Sequence, residues 1–239
     1  MKYSGATDQG RSRTNNEDAW VVEESLSAAI LADGMGGASC GEVASAVTVA
    51  AIVEYLRHPE QGLSPAELTK EAIREANQRV IETALGREDC SGMGSTVVLA
   101  LWRDAEMVIA NVGDSRAYLY RAGELRQVSY DQNFANELRS TLGFSEERVL
   151  AMPNRHVLTM AVGAFDHVLV RTHVQHLEPG DQVLMCSDGL HGPVEHATIA
   201  SILSGPESLA GKVDRLIAHA NARGGPDNVT VVLLEYGND

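Results

Sequence analysis

The chain has 239 residues, 44% of them hydrophobic, enough for one large domain with a sizeable core. Its formal net charge of −14 argues against nucleic acid or an anionic membrane surface as the main partner. The N-terminus lacks the apolar core of a signal peptide, no apolar run could span a bilayer, and Cys40, Cys90 and Cys186 lack metal-ligand spacing, so a reducing cytoplasm is expected, with Cys186 a buried inert thiol.

In chain order, short strands are expected at residues 2–8, 20–24 and 28–32. A helix follows over 41–56, with Val43, Val47 and Ala50 on its apolar stripe. Ser64-Pro65-Ala66-Glu67 supplies an N-cap, a proline at the first helical position and a capping-box Glu, opening a second helix whose apolar face runs Leu68, Ala72, Ala76, Val80. Strands then succeed one another at 95–102, 107–112, 117–121 and 124–128, joined by connections so short that neighbours must be antiparallel. Residues 134–142 read as a helix. Residues 143–164 have weak periodicity and no clear element, which marks them as a candidate mobile flap. A half-buried strand over 168–176 turns at Glu178-Pro179-Gly180-Asp181 into a strand over 182–187. Helices over 194–203 and 208–223 precede a closing strand at 228–236. No linker or repeat divides residues 1–239, so one domain is expected. The expected fold class is α+β: a four-layer α-β-β-α sandwich of two mainly antiparallel sheets flanked by helix pairs.

Asp33, Asp114, Asp188 and Asp227 each stand beside a glycine or tight turn at the end of an apolar strand, and Glu17-Asp18 precedes another. Asp-Gly pairs also make ordinary turns. Five acidic points spread from residue 17 to residue 227 weigh against turn chemistry alone. Carboxylates gathered at strand ends, with little His or Cys near them, suit hard cations such as Mg²⁺ or Mn²⁺. Arg13, four residues before Glu17, can bind two phosphate oxygens in one plane. Arg116 is expected to pair structurally with a carboxylate, and His191 to be a surface or flap contact.

These pieces fall in a recognisable order: Thr7-Asp8-Gln9-Gly10-Arg11-Ser12-Arg13, Asn16-Glu17-Asp18, Ala32-Asp33-Gly34-Met35-Gly36-Gly37 with Gly41-Glu42-Val43-Ala44-Ser45, Gly92-Met93-Gly94-Ser95-Thr96, Val112-Gly113-Asp114-Ser115-Arg116, Cys186-Ser187-Asp188-Gly189, and Pro226-Asp227-Asn228-Val229-Thr230. Over essentially its whole length the chain resembles the metal-dependent serine/threonine protein phosphatases of type 2C in their compact bacterial form. The resemblance implies a binuclear Mn²⁺ or Mg²⁺ centre. Asp33 would bridge both cations, Asp188 and Asp227 would complete one, and the Gly34 carbonyl with Glu17 would serve the other. Asp18 would act through water or a neighbouring ligand, and Asp114 with Asp188 would offer a looser third site. It further implies phosphoserine and phosphothreonine hydrolysis by direct attack of a metal-bridging hydroxide, opposing a bacterial Ser/Thr kinase, in a cytoplasmic and monomeric protein.

Three departures from the family pattern stand out. Ser129-Tyr130-Asp131-Gln132-Asn133 replaces a Thr-x-Asp-His-Ser-like stretch. Met152 and Met160 occupy positions where polar residues are common. Met35 stands where many eukaryotic members carry a His proposed as general acid. Two other readings remain at this point: a regulatory phosphatase of anti-sigma-factor antagonists, whose members generally lack the 13–18 stretch, and a non-catalytic phospho-binding module, which would be expected to lose ligands.

Overall fold

Alternation of apolar side chains sorts the strands onto the faces of two antiparallel sheets. The computed structural model describes residues 1–36 and 40–237; Gly37, the last glycine of the motif around Asp33, lies outside them. In chain order the strands are β1 (Lys2–Asp8), β2 (Asp18–Glu23), β3 (Ala28–Met35), β4 (Gly94–Ser95), β5 (Val97–Arg103), β6 (Glu106–Val112), β7 (Arg116–Arg121), β8 (Glu124–Gln127), β9 (Arg171–His176), β10 (Gln182–Cys186) and β11 (Val229–Glu235). The helices are α1 (Cys40–Arg57), α2 (Pro65–Leu85), α3 (Phe134–Leu142), α4 (Glu146–Leu150), α5 (Asp188–His191), α6 (His196–Leu203) and α7 (Leu209–Ala222). One sheet has the order β1-β11-β10-β7-β8, the other β2-β3-β5-β6-β9 with β4 paired to β3.

Each central strand contributes to two cores. In β5, Val98 and Ala100 face the other sheet, while Val97 and Leu99 face α1 and α2. In β11, Val232 and Leu234 point between the sheets, while Val229, Val231 and Leu233 pack towards α6 and α7. The expected α+β sandwich is therefore the observed one. The sheets approach closely where β1 meets β2: a Cβ added at Gly5 would lie 2.7 Å from the Trp20 ring.

Several expectations shift. The buried face of α1 is Ala44, Thr48, Ala51 and Ile52, with Ala50 exposed, not the stripe through Val43 and Val47. Thr48 hides its polarity by donating to the Ala44 carbonyl one turn back, so a hydrophobicity pattern misreads it. The capping box at Ser64 and Glu67 forms as expected. The strand expected over 95–102 divides at Thr96, whose hydroxyl accepts from the Asp33 N–H of β3 and bonds with the Ser115 hydroxyl. Residues 143–164 are not featureless. Ser145 caps α4, and Val149 packs with Ala135, Leu138, Phe144 and Met152 in a small core of their own. Met152 is thus a packing residue there, and Met160 packs against the helix-facing core. No helix among the described residues is long and apolar enough to cross a membrane.

The cysteines also depart from expectation. Cys40 and Cys90 form a disulfide, which residue spacing did not suggest. Cys186 is the buried free thiol that was expected, its pKa pushed up to about 12 by burial.

Candidate active site

Pairing register carries every marked carboxylate to the same end of the sandwich. Asp18 on β2 stands directly opposite Asp33 on β3. β10 and β11 pair antiparallel, so Asp188, just past β10, and Asp227, just before β11, emerge at one edge. Arg116 opens β7 opposite Cys186 at the end of β10, which brings Asp114 to that edge too. β1 ends at Asp8 opposite Val229, and the chain leads from there to Arg13. Arg13, Glu17, Asp33, Gly34, Asp114, Asp188 and Asp227 line one cleft of about 250 Å³. Among the expected site residues, Asp18 sits deeper: the hydroxyls of Ser187 and Thr230 donate to its Oδ2 at 2.8 and 2.6 Å, while Oδ1 is buried with no hydrogen-bond partner among the described residues.

The backbone around Asp33 is held from the neighbouring strands. Its N–H donates to the Thr96 hydroxyl at 3.1 Å, and its carbonyl accepts from the Thr96 N–H and the Ser95 hydroxyl. Next to it, two glycines are in contact. A Cβ at Gly34 would fall 1.9 Å from the Gly41 carbonyl oxygen. One at Gly41 would fall 2.8 Å from the Gly34 carbonyl oxygen and 2.9 Å from Glu17 Oε1. Two oxygen donors therefore converge on a cradle that any side chain would fill.

Burial, then mutual repulsion, keeps these acids protonated above the usual carboxylate range. Asp33 is pushed well up by desolvation and by the charges of Asp18, Asp188, Asp114 and Asp227. Desolvation is the largest cause again for Asp188, raised to about 7, and for Asp18 and Asp114, each raised to about 6. An oxygen-only donor set that resists ionising, with one buried carboxylate oxygen unpartnered, fits a divalent cation that would supply the missing positive charge.

Arg13 is half-exposed, and its guanidinium donates to Asp227 Oδ2 at 2.7 Å. Arg116 pairs with a carboxylate as expected: its guanidinium grips Asp131 with both Nε and Nη2. His191, half-buried, lines a neighbouring cavity with Arg155 and His156 of the expected flap, as a flap contact would, and is tied to the chain beneath as well. Its Nε2 lies 3.0 Å from the Asp114 carbonyl oxygen, so that nitrogen carries the proton, and burial pushes its pKa down to about 3.

The departures at 132 and 133 have structural roles. The Gln132 amide accepts from the Gly113 N–H and donates to the Leu169 carbonyl. Asn133 caps α3 through the Asn136 N–H and donates to Asp114 Oδ2 at 3.2 Å, so the cap of α3 also positions a cleft carboxylate. Other residues that hold the site also lie within these sequence motifs. Asn228 accepts from the Glu17 N–H and donates to the carbonyls of Gln9 and Asn15, tying three segments together. Thr96, Ser187 and Thr230 orient Asp33 and Asp18. Thr96 ends the Gly92–Thr96 motif, Ser187 immediately precedes Asp188 and Thr230 ends the motif that begins Pro226-Asp227, which was the available signal. His156, in the expected flap, also lines the cleft and had no signal.

Comparison with known proteins agrees with this geometry. Residues 7–233 match the family model described as protein phosphatase 2C. The chain is 37% identical over 235 residues to the serine/threonine phosphatase Stp of Listeria welshimeri, covering 96% of this chain and 93% of that protein. It is 36% identical over 235 residues to the serine/threonine protein phosphatase PstP of Mycobacterium tuberculosis, covering 98% of this chain and 45% of that longer one. The crystal structure of the M. tuberculosis phosphatase PstP/Ppp superposes with a TM-score of 0.91 at 34% identity, over 99% of both chains. A structure of the PstP catalytic domain in complex with two manganese ions gives 0.88 at 33% identity, over 99% of this chain and 98% of that one. A cleft of carboxylates at one end of a two-sheet sandwich, in a chain matched almost from end to end, makes this protein a member of the protein phosphatase 2C family and a protein-serine/threonine phosphatase.

Proposed function

We propose that the cleft holds two divalent cations, Mn²⁺ or Mg²⁺, and that Arg13 presents the phosphate of a phosphoserine or phosphothreonine protein to them. The observation that carries this reading is the convergence of Asp33, Asp188 and Asp227 with Glu17 and the Gly34 carbonyl beside Arg13. The two manganese ions in the PstP catalytic domain support it. Asp33 would serve both cations, Asp188 and Asp227 one, and Glu17 with the Gly34 carbonyl the other. Asp18, aligned by Ser187 and Thr230, would fix their surroundings, and Asp114 with Asp188 would form a looser third site. When bound, the cations supply a nucleophile from water near neutral pH and neutralise phosphate charge. The chain's own part is to fix these donors from both sheets, to hold the phosphate and to shape the cleft. We read residues 1–239 as one cytoplasmic, monomeric catalytic domain with 143–164 as its flap, opposing a Ser/Thr kinase.

The test of the reading is metal dependence. Hydrolysis of a phosphothreonine peptide and of p-nitrophenyl phosphate should require added Mn²⁺ or Mg²⁺ and vanish with chelator. Full activity in metal-stripped protein would sink it.

Arg13 gives a second expectation. A charge-assisted contact is worth about 1.5–3 kcal/mol, so Arg13→Ala should raise KM for phosphopeptides accordingly, with some loss in kcat if the contact tightens in the transition state. Because Arg13 also pairs with Asp227, its removal should not weaken metal binding. Unchanged kinetics would return Arg13 to the role of a surface ion pair.

A third concerns the proton that a serine or threonine alkoxide needs on leaving. Met35 offers none, and the Nε2 proton of His191 is engaged by the Asp114 carbonyl. Met35→Ala should therefore keep phosphopeptide turnover within about tenfold of wild type, short of the 10²–10⁴-fold typical of losing a general acid. The acidic limb of the pH–rate profile should move when Mn²⁺ replaces Mg²⁺. His156→Gln is the discriminating companion: a selective loss on phosphopeptide, with p-nitrophenyl phosphate spared, would make His156 the donor.

A further inference from the structure

Cys40 and Cys90 lie in the two segments that pack against the cleft at Gly34, the start of α1 and the chain leading into β4, and neither lines the cleft. Cys40 is the first residue of α1, and Gly41, next to it, is the residue against which the Gly34 carbonyl and Glu17 converge. Cys90 closes a 3₁₀ turn, Glu88–Cys90, whose chain continues through Met93 into β4. β4 pairs back onto the cleft loop, Ser95 opposite Gly34 and Gly94 opposite Met35. The Cys40–Cys90 bond, at a sequence separation of 50 and a Cα separation of 5.3 Å, therefore ties the start of α1 to the segment that leads into β4. That segment is the one whose Gly94 and Ser95 pair with the β3 end at Met35 and Gly34.

We propose that Cys40 and Cys90 are a redox modification site whose oxidation pins the start of α1, with Gly41, to the segment leading into β4 and raises the affinity of the cleft for divalent cations. This rests on the proposed metal-binding reading. In the forward step the two thiols lose two electrons and two protons as the sulfur–sulfur bond forms. A low-molecular-weight disulfide takes them up to give two thiols, or hydrogen peroxide takes them up to give two waters. A dithiol reverses it. The bond lies among buried residues, Cys40 5% and Cys90 1% exposed, but the turn that carries Cys90 is flanked by exposed residues 86, 87 and 91, so local opening of that turn gives reagents access. With the clamp closed, Gly41 stays against Glu17 and Gly34, and the donors are held before any cation arrives. With it open, α1 and β4 are tied to each other only through weaker contacts, and each binding event must bring Gly41 back against Glu17 and Gly34.

The test uses the full chain, metal-free, in two samples: one treated with glutathione disulfide, the other with dithiothreitol, and both desalted. Thiols titrated after unfolding should number one in the oxidised sample, from Cys186, and three in the reduced sample. Mn²⁺ titrated into each by calorimetry should bind about tenfold tighter to the oxidised form, the scale typical of groups that hold ligands from outside. The Cys40→Ser, Cys90→Ser double variant should bind Mn²⁺ as the reduced wild type does after either treatment. Equal Mn²⁺ affinity in the two wild-type forms overturns the proposal, as does a redox effect that survives in the double variant. Three thiols after oxidant overturn it as well. So does one zinc retained per reduced chain but lost in the double variant, since Cys40, Cys90 and Asp89 would then be a soft-metal site. Absence of Mn²⁺ binding in both forms would instead refute the metal-centre reading itself, so the two failures are distinguishable.

Discussion

Asp33→Asn is expected to lower phosphatase activity by more than the roughly 10²–10³-fold that follows loss of a single transition-state donor. Asp33 stands opposite Asp18 across β2 and β3, and its charge meets those of Asp188, Asp114 and Asp227 in the same cleft. A carboxylate shared by two cations cannot be replaced by an amide, which has one neutral acceptor oxygen in place of two charged ones. The backbone around it is fixed by Thr96 and Ser95, so the fold should tolerate the change. The measurement pairs kcat/KM on a phosphothreonine peptide with thermal unfolding, with and without Mn²⁺. Expected are lost turnover and a lost Mn²⁺-induced rise in Tm, because a ligand stabilises only the folded state that binds it. Retention of turnover within about tenfold would remove Asp33 from the centre of the mechanism.

The second large effect is the pH dependence of the metal-free protein. Asp18 and Asp114 are raised to about 6 and Asp188 to about 7, with Asp33 also well above the carboxylate range. In the unfolded chain the same groups titrate near 4. Between those values the folded state holds more protons than the unfolded one, so stability falls as pH rises through the window. Metal-free protein should therefore melt lower at pH 8 than at pH 5, by roughly 5–10 °C for a domain of this size. Added Mn²⁺ should restore most of the difference at pH 8 and little at pH 5, where protons already occupy the oxygens. Asp33→Asn should flatten the slope. A melting temperature that rises steadily from pH 5 to pH 8 without metal would contradict the raised pKa values.

Elements were readable from sequence wherever one physical signal dominated. Strands buried on both faces, such as β5 and β11, are runs of apolar residues whichever sheet they join. The cap at Ser64 is local chemistry and was visible as such. The cleft acids were legible because each sits where a strand stops, and strand ends collect at sheet edges. What escaped depends on contacts between distant segments. Thr96 breaks a strand to serve Asp33, and the division of β4 from β5 has no local cause. Asn133 reads as a departure from a family pattern until α3 is seen to begin there with Asp114 in reach. The face of α1 was misread because Thr48 satisfies its hydroxyl within the helix. The Cys40–Cys90 pair, at a sequence separation of 50, had no signal in spacing, since the chain from one to the other runs through α1 and α2, two helices that pack together and return the chain to its start.

The strand directions that gather the acids leave the opposite end of the sandwich without chemistry. Turns there join β2 to β3, β5 to β6, β7 to β8 and β9 to β10, at residues 24–27, 104–105, 122–123 and 177–181. None of them lines the cleft. Extra length in such a turn costs little more than loop-closure entropy, which grows only with the logarithm of loop size. Affinity tags, fluorescent reporters or targeting modules can therefore be spliced into the 122–123 turn, with its exposed Ala122 and Gly123, and ride on the molecule at the full height of the sheets from the phosphate. The same geometry makes this a scaffold whose addressing and catalysis can be changed independently.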